Sequence, residues 1–91
     1  MGVHFETSNA IDGPATANSV ILVTPDGERT MNTYLGACQK LGPDDVDEAT
    51  VKASAITYLE GYLWDPPAAK EAFVKAAAIA HAAGRQVALT L

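Results

Sequence analysis

The sequence predicts an α/β fold, a β-hairpin followed by a βαβ unit, and three observations carry that prediction. A β-branched run, Val20-Ile21-Leu22-Val23, meets the turn residues Pro25-Asp26-Gly27 and leads into a second extended stretch. A near-continuous apolar run from Ala55 to Leu63 precedes an alanine-rich stretch, and a further apolar run, Gln86 to Leu91, follows it. Strand, helix and strand in that succession make parallel strands joined by a right-handed crossover. The 91 residues leave room for one small domain with a modest core.

Residues 1–17 show no sustained period, and Ser8 to Pro14 reads as a loop. The first strand starts near Ser19. Proline presets the turn dihedral and Gly27 accepts a positive φ, so a second strand is expected from Glu28 to about Leu35. Side chains alternate along a strand, which puts Arg29, Met31, Thr33 and Leu35 on one face and Thr30, Asn32 and Tyr34 on the other. A face of two apolar residues, a small threonine and a terminal arginine is expected to be half-buried, and it suits the covering of a ligand.

After Gly36 the period changes. The acids of Pro43-Asp44-Asp45-Val46-Asp47-Glu48 complement the positive end of a helix dipole, and a helix is expected from about Asp44 to Ser54. A metal site built from Asp44, Asp45 and Asp47 is the sharper alternative, but the glycine and distal glutamate of a calcium loop are missing. The Ala55–Leu63 run fits a strand buried on both faces. Asp65 is placed to cap the next helix, with Pro66 and Pro67 in its first turn. From Lys70 to Ala83, Phe73, Val74, Ala77 and Ala80 fall on one side, and Gly84 stands at the stop. The chain is therefore expected to be one partial domain over 1–91: a hairpin part, 1–36, and a helix-plus-βαβ part, 37–91. Two parallel strands are too few to close a covered layer, so a larger sheet is expected around them.

Composition narrows the function. Eleven acidic against six basic residues give a net charge of −5, with the basic residues scattered. No basic patch is available to neutralise a phosphate backbone, which argues against nucleic acid as a partner. No apolar run approaches the roughly 20 residues needed to span a bilayer. The amino end lacks the pattern of a signal peptide, and the single Cys38 has no internal partner, both in keeping with a cytoplasmic setting. Cys38 reads as structural rather than reactive. Alanine supplies much of the 48% apolar content, so the core is expected to lean on Val, Ile, Leu, Phe, Tyr and Trp.

Motifs of a self-sufficient enzyme are missing. The sequence has no phosphate loop, no dinucleotide fingerprint, no nucleophile elbow and no Cys/His metal spacing. His4 and His81 stand far apart, and His81 reads as a surface residue. No catalytic or metal-binding residue is assigned.

The run Thr16-Ala17-Asn18-Ser19-Val20-Ile21-Leu22-Val23-Thr24-Pro25-Asp26-Gly27-Glu28-Arg29-Thr30-Met31, followed by Tyr34-Leu35-Gly36-Ala37, resembles the ribokinase-like (PfkB) sugar and nucleoside kinases, most closely their adenosine-kinase-like bacterial branch. Tyr58 to Leu63, the alanine-rich helix and Val87 to Leu91 continue the resemblance in the same order. It implies a fragment of a ribokinase-like fold, with 1–35 as strands of a small β-sheet lid and 44–91 as part of a central doubly wound α/β domain. Full-length members transfer the γ-phosphoryl of ATP, with magnesium, to a hydroxymethyl group of a sugar or nucleoside.

By the same resemblance Arg29 is the lid arginine near the transferring phosphates. Met31, Thr33 and Leu35 face the acceptor substrate, and Tyr62 and Leu63 border its pocket. Arg29 as a solvated hairpin residue, and Met31, Leu35 and Tyr62 as plain core, are the competing readings. The sequence departs from the family pattern at Ala17, often Gly, and at Asn18, often Arg. It also lacks the family's first strand with its substrate-binding Asp, its Gly-Gly segment, its Asn-x-x-Glu magnesium motif and its Gly-Ala-Gly-Asp motif. An inert kinase fragment is therefore expected. A self-associating or ligand-binding module derived from the lid is the alternative, and a piece of a split enzyme is a third. Exposed lid edges and uncovered strands lead to the expectation of a homo-oligomer.

Overall fold

The computed structural model describes all of residues 1–91, which divide into two compact units, Met1–Cys38 and Gln39–Leu91. The expected α/β class and element order are found.

In the first unit, β1 (Asn18–Val23) and β2 (Arg29–Tyr34) form an antiparallel hairpin in which Val23 pairs with Arg29 and Asn18 with Tyr34. The turn closes on the expected residues. Gly27 adopts φ +88°, its amide donates to the Thr24 carbonyl at 2.9 Å, and the Thr24 amide donates to the Glu28 carbonyl at 3.0 Å. Residues 1–17 contain no regular element and are exposed. They are tied back at one point, where the Ala37 amide donates to the Ala15 carbonyl at 2.9 Å. Gly36 is required there: its φ is +51°, and a Cβ would overlap the Ala15 carbonyl oxygen. The Cys38 thiol donates to the Leu35 carbonyl at 2.7 Å, a local packing role.

The hairpin corrects one expectation. Both of its faces are exposed, including Val20, Ile21, Leu22, Val23 and Met31, where a half-buried face was expected. A hairpin's apolar face becomes buried only when a second layer lies against it, and alternation along the strand cannot supply that layer.

In the second unit, β3 (Ile56–Glu60) and β4 (Gln86–Thr90) run parallel, joined through α2 (Pro67–Ala82). The helix packs on both strands, on the short helix α1 (Glu48–Ala53) and on the turn Pro43–Asp45. Its end is built as a Schellman motif: Gly84 at φ +67°, the Gly84 amide on the His81 carbonyl (3.0 Å) and the Arg85 amide on the Ala80 carbonyl (2.8 Å). The Arg85 Nε donates to the Lys52 carbonyl at 3.1 Å, which satisfies the end of α1, and the Lys75 Nζ reaches the Pro43 carbonyl at 2.6 Å.

Four local expectations are corrected here. The helix expected over 44–54 is split into the one-turn 3-10 segment Pro43–Asp45 and α1. Each piece has its own acidic cap: Asp45 Oδ2 accepts from the Gly42 amide and Asp47 Oδ2 from the Thr50 amide, both at 2.9 Å. Val46 and Asp47 between them are extended, so two start signals in succession make two starts. Asp65 is not the cap of α2. Pro66 precedes Pro67 and is held extended (φ −63°, ψ 134°), so helix geometry begins only at Pro67.

The apolar run 55–63 is not a strand buried on both faces. β3 ends at Glu60, Gly61–Leu63 forms a 3-10 turn, and only Thr57 and Leu59 of the strand are partly covered, since one helix lies on one side. The core, finally, is not made mainly of large residues. It comprises Ala69, Ala72, Phe73, Ala76 and Ala80, a stripe at helical spacing, while Val74 is 62% exposed and Ala77 half-buried. Alanine lets a helix backbone lie close to its neighbours, so an alanine face is a packing face although each residue covers little area.

Candidate functional site

The hairpin register sets the first group of candidates. Residues directly opposite on antiparallel strands share a face, so Arg29, Met31 and Thr33 lie with Val23, Ile21 and Ser19. The Ser19 and Thr33 hydroxyls are hydrogen-bonded at 2.8 Å across the strands, as this sharing requires. Leu35 lies one residue beyond β2, where strand alternation no longer sets its direction. Neither the His4–Glu6 contact nor the Glu48–Lys52 ion pair engages the Arg29 guanidinium. The result is an exposed surface with one permanent cation at the turn end, apolar side chains in the middle and hydroxyls at the far end. Such a surface can meet an anion and an apolar body at once.

The second group lies at the carboxyl ends of β3 and β4. An open depression of about 300 Å³ is lined by Gly61, Tyr62, Asp65, Thr90 and Leu91. Tyr62 is 85% exposed and aimed into solvent, while Leu63 is half-buried in the 3-10 turn and lies outside the lining. The turn that presents Tyr62 depends on Gly61, because a Cβ there would overlap the Thr90 carbonyl oxygen of the neighbouring strand end. Carboxyl ends of parallel strands are where open α/β sheets place ligands.

Beside the depression lies a hydrogen-bonded group that the sequence reading missed. Glu60 and Thr90 are in register, and the Thr90 hydroxyl donates to Glu60 Oε2 at 2.8 Å. The Tyr58 hydroxyl donates to Glu60 Oε1 at 2.5 Å. Together, Tyr58 first and then Thr90, they hold the Glu60 carboxyl below its ordinary range. Tyr58 and Glu60 are two apart on a strand, which could have placed them on one face. The pairing with Thr90 needed the parallel register and was not readable in advance. Asp65, which does not cap α2, is one of the residues lining the depression.

No group of three or more His, Cys, Asp or Glu side chains is gathered in the structure.

No family model matches the chain, and no curated protein matches it. Solved structures do. An adenosine kinase from Sinorhizobium meliloti is 61% identical with a TM-score of 0.92, over 99% of this chain and 28% of that one. A probable sugar kinase from Rhizobium etli CFN 42 is 57% identical with a TM-score of 0.91, over 99% of this chain and 27% of that one. The chain thus spans little more than a quarter of the length of these relatives, matching them almost from end to end of its own.

Proposed function

We propose, from the premise that this chain belongs to the PfkB adenosine- and sugar-kinase family, that it carries acceptor-side and phosphate-side contacts for phosphoryl transfer from ATP to a nucleoside or sugar hydroxymethyl group and does not turn over alone. The observation that carries this reading is the 61% identity at a TM-score of 0.92 over 99% of the chain. In the hairpin, Arg29 is assigned to the transferring phosphates: a planar, permanently charged group with several donors suits an oxygen-rich anion. Met31, Thr33 and Leu35 are assigned to the acceptor. At the strand ends, Tyr62 offers an exposed ring to an acceptor and Leu63 supports the turn that presents it. The setting is cytoplasmic, and no helix is long and apolar enough to cross a membrane.

Inactivity in isolation is proposed because the chain spans little more than a quarter of the length of these kinases, and phosphoryl transfer depends on an assembled set of positioned, charge-stabilising groups. Incubation of the pure chain with ATP, magnesium and a panel of nucleosides and sugars is expected to give no product, and turnover would overturn this part of the reading. The assignment of residues has its own test. Exchanging the matching segment of the Sinorhizobium meliloti enzyme for residues 1–91 is expected to leave an active kinase. Arg29→Ala in that chimera is expected to lower kcat by about 10²–10³-fold, the usual effect of removing one donor to developing charge. A folded but inactive chimera, or an unaffected Arg29→Ala variant, counts against it.

A second reading, a self-associating module, draws on the exposed apolar residues of both hairpin faces. Light scattering separates the two. A concentration-dependent oligomer, with saturable nucleoside binding and no turnover, favours the module.

A further inference from the structure

The chain contains two Asp-Gly dipeptides, Asp12-Gly13 and Asp26-Gly27, and the fold treats them in opposite ways. At the hairpin turn, the Asp26 carboxylate accepts from the Thr24 hydroxyl and from the Glu28 amide at 3.3 Å. The Gly27 amide donates to the Thr24 carbonyl at 2.9 Å. Both partners of a possible reaction between the Asp26 side chain and the following backbone nitrogen are therefore engaged. Asp12 and Gly13 lie in an exposed bend outside any helix or strand, with Gly13 at φ +117°. The Asp12 carboxylate makes no contact with a basic side chain, and the Gly13 amide has no backbone acceptor.

We propose that Asp12 is a site of spontaneous conversion to isoaspartate, and that the hairpin turn protects Asp26 from the same modification. The Gly13 nitrogen attacks the Asp12 side-chain carboxyl carbon. An N–C bond forms, the carboxyl C–O bond breaks, and the hydroxyl leaves as water with the amide proton, giving a five-membered succinimide. Water then adds to one of the two ring carbonyls. Opening at the side-chain carbonyl restores aspartate. Opening at the main-chain carbonyl leaves the backbone running through the side-chain carbon, as isoaspartate. One water is lost and one gained, nothing is oxidised or reduced, and the mass is unchanged. Glycine favours the attack because no Cβ shields its nitrogen and its backbone reaches conformations closed to other residues.

The turn opposes each part of this sequence at Asp26. The nucleophilic nitrogen keeps its proton in a hydrogen bond, and the carboxylate is fixed toward Thr24 and Glu28 rather than free to rotate onto Gly27. The hydroxyl leaves only from the protonated acid, and the Thr24 hydroxyl, with the Glu28 amide second, holds the Asp26 carboxyl below its ordinary range. Modification at Asp12 inserts a main-chain carbon three residues before Ala15, whose carbonyl anchors the amino-terminal segment on Ala37.

The experiment is ageing of the full chain at 37 °C and neutral pH in ¹⁸O-labelled water, with peptide mapping that separates aspartyl from isoaspartyl forms. Isoaspartate is expected at Asp12 about tenfold faster than at Asp26, the scale set by hydrogen bonds of ordinary strength. In concentrated urea the two rates are expected to converge, since both are Asp-Gly. Thr24→Ala is expected to raise the Asp26 rate toward that of Asp12. Equal rates in the folded chain, a faster rate at Asp26, or a difference that survives in urea would overturn the proposal.

Discussion

The two units hold their shape by different means. In the hairpin unit no side chain larger than hydrogen is buried: Gly36 alone is buried, with Ala37 and Cys38 half-buried, and order comes from the strand ladder, the Thr24–Glu28 turn and the Ala15–Ala37 tie. In the βαβ unit five residues of one helix are buried, and every neighbouring element rests on that helix. A two-stranded hairpin is marginal in water without a layer to pack on, while a sheet with a helix against it has the start of a core. The same number of strands therefore gives unequal resistance to change. Substitutions in α2 should be felt strongly, and those on the hairpin face weakly.

The largest expected effect is at Phe73, the one large side chain of the core. Phe73→Ala removes it from the alanine stripe and from the tilted contact with Trp64, whose ring centroid lies 5.8 Å away. The expected loss is about 3–5 kcal/mol. That is a large share of the ~5–15 kcal/mol of an ordinary domain, so the βαβ unit is expected to unfold. Val74→Ala, one residue on and exposed, should cost no more than about 0.5 kcal/mol. Denaturant titrations followed by Trp64 fluorescence report the second unit, and amide NMR signals of β1 and β2 report the first. Loss of the hairpin signals together with the Trp64 transition would break the contrast between the units.

Gly61→Ala probes the site at the strand ends and should have a smaller effect. The added Cβ has to displace the Thr90 carbonyl, and overpacking of this kind costs about 1–3 kcal/mol. The shift should concentrate at Glu60, Thr90 and Tyr62 in chemical-shift maps and leave the buried stripe of α2 in place. An unperturbed Thr90 would show that the close approach is not a constraint on the turn that presents Tyr62.

How much of this was legible in the sequence follows from the kind of force involved. The hairpin was readable because Pro25 and Gly27 fix dihedrals locally, and the βαβ order because a long alanine helix between apolar runs admits few alternatives. Gly84 marked the helix stop for the same local reason. What was misread depended on neighbours. Val74 and Ala77 look like core by spacing, but their side of α2 turns partly or wholly to solvent. The 44–54 segment looks like one helix until the caps of Asp45 and Asp47 are seen to compete. Asp65 looks like a cap until the consecutive prolines are read with the restriction each imposes on its predecessor. At the candidate site, alternation gave the shared face of Arg29, Met31 and Thr33. The Glu60–Thr90 pairing required two residues thirty apart to be brought into parallel register, which no local pattern encodes.

The smallest expected effect compares two exposed carboxylates, one in each unit. Asp26 is held below its ordinary 3.8 first by the Thr24 hydroxyl, and Glu60 below its ordinary 4.5 first by the Tyr58 hydroxyl and then by Thr90. In both, the folded value lies under the unfolded one, so the stabilisation is fully present above the unfolded value and is lost as pH falls through the folded one. Acid should therefore weaken each unit separately, below about pH 4.5 at the strand ends and below about 3.8 at the hairpin turn. Glu60→Gln should make the acid limb of the Trp64-reported transition shallower without removing it, since Asp47 and Glu48 of the same unit are also held low, and Asp26→Asn should act only on that of the hairpin amides. Both effects are small, because solvent screens charges at the surface. If Glu60→Gln also altered the hairpin's acid response, the units would be energetically coupled, and each would have to be treated as part of the other's stability.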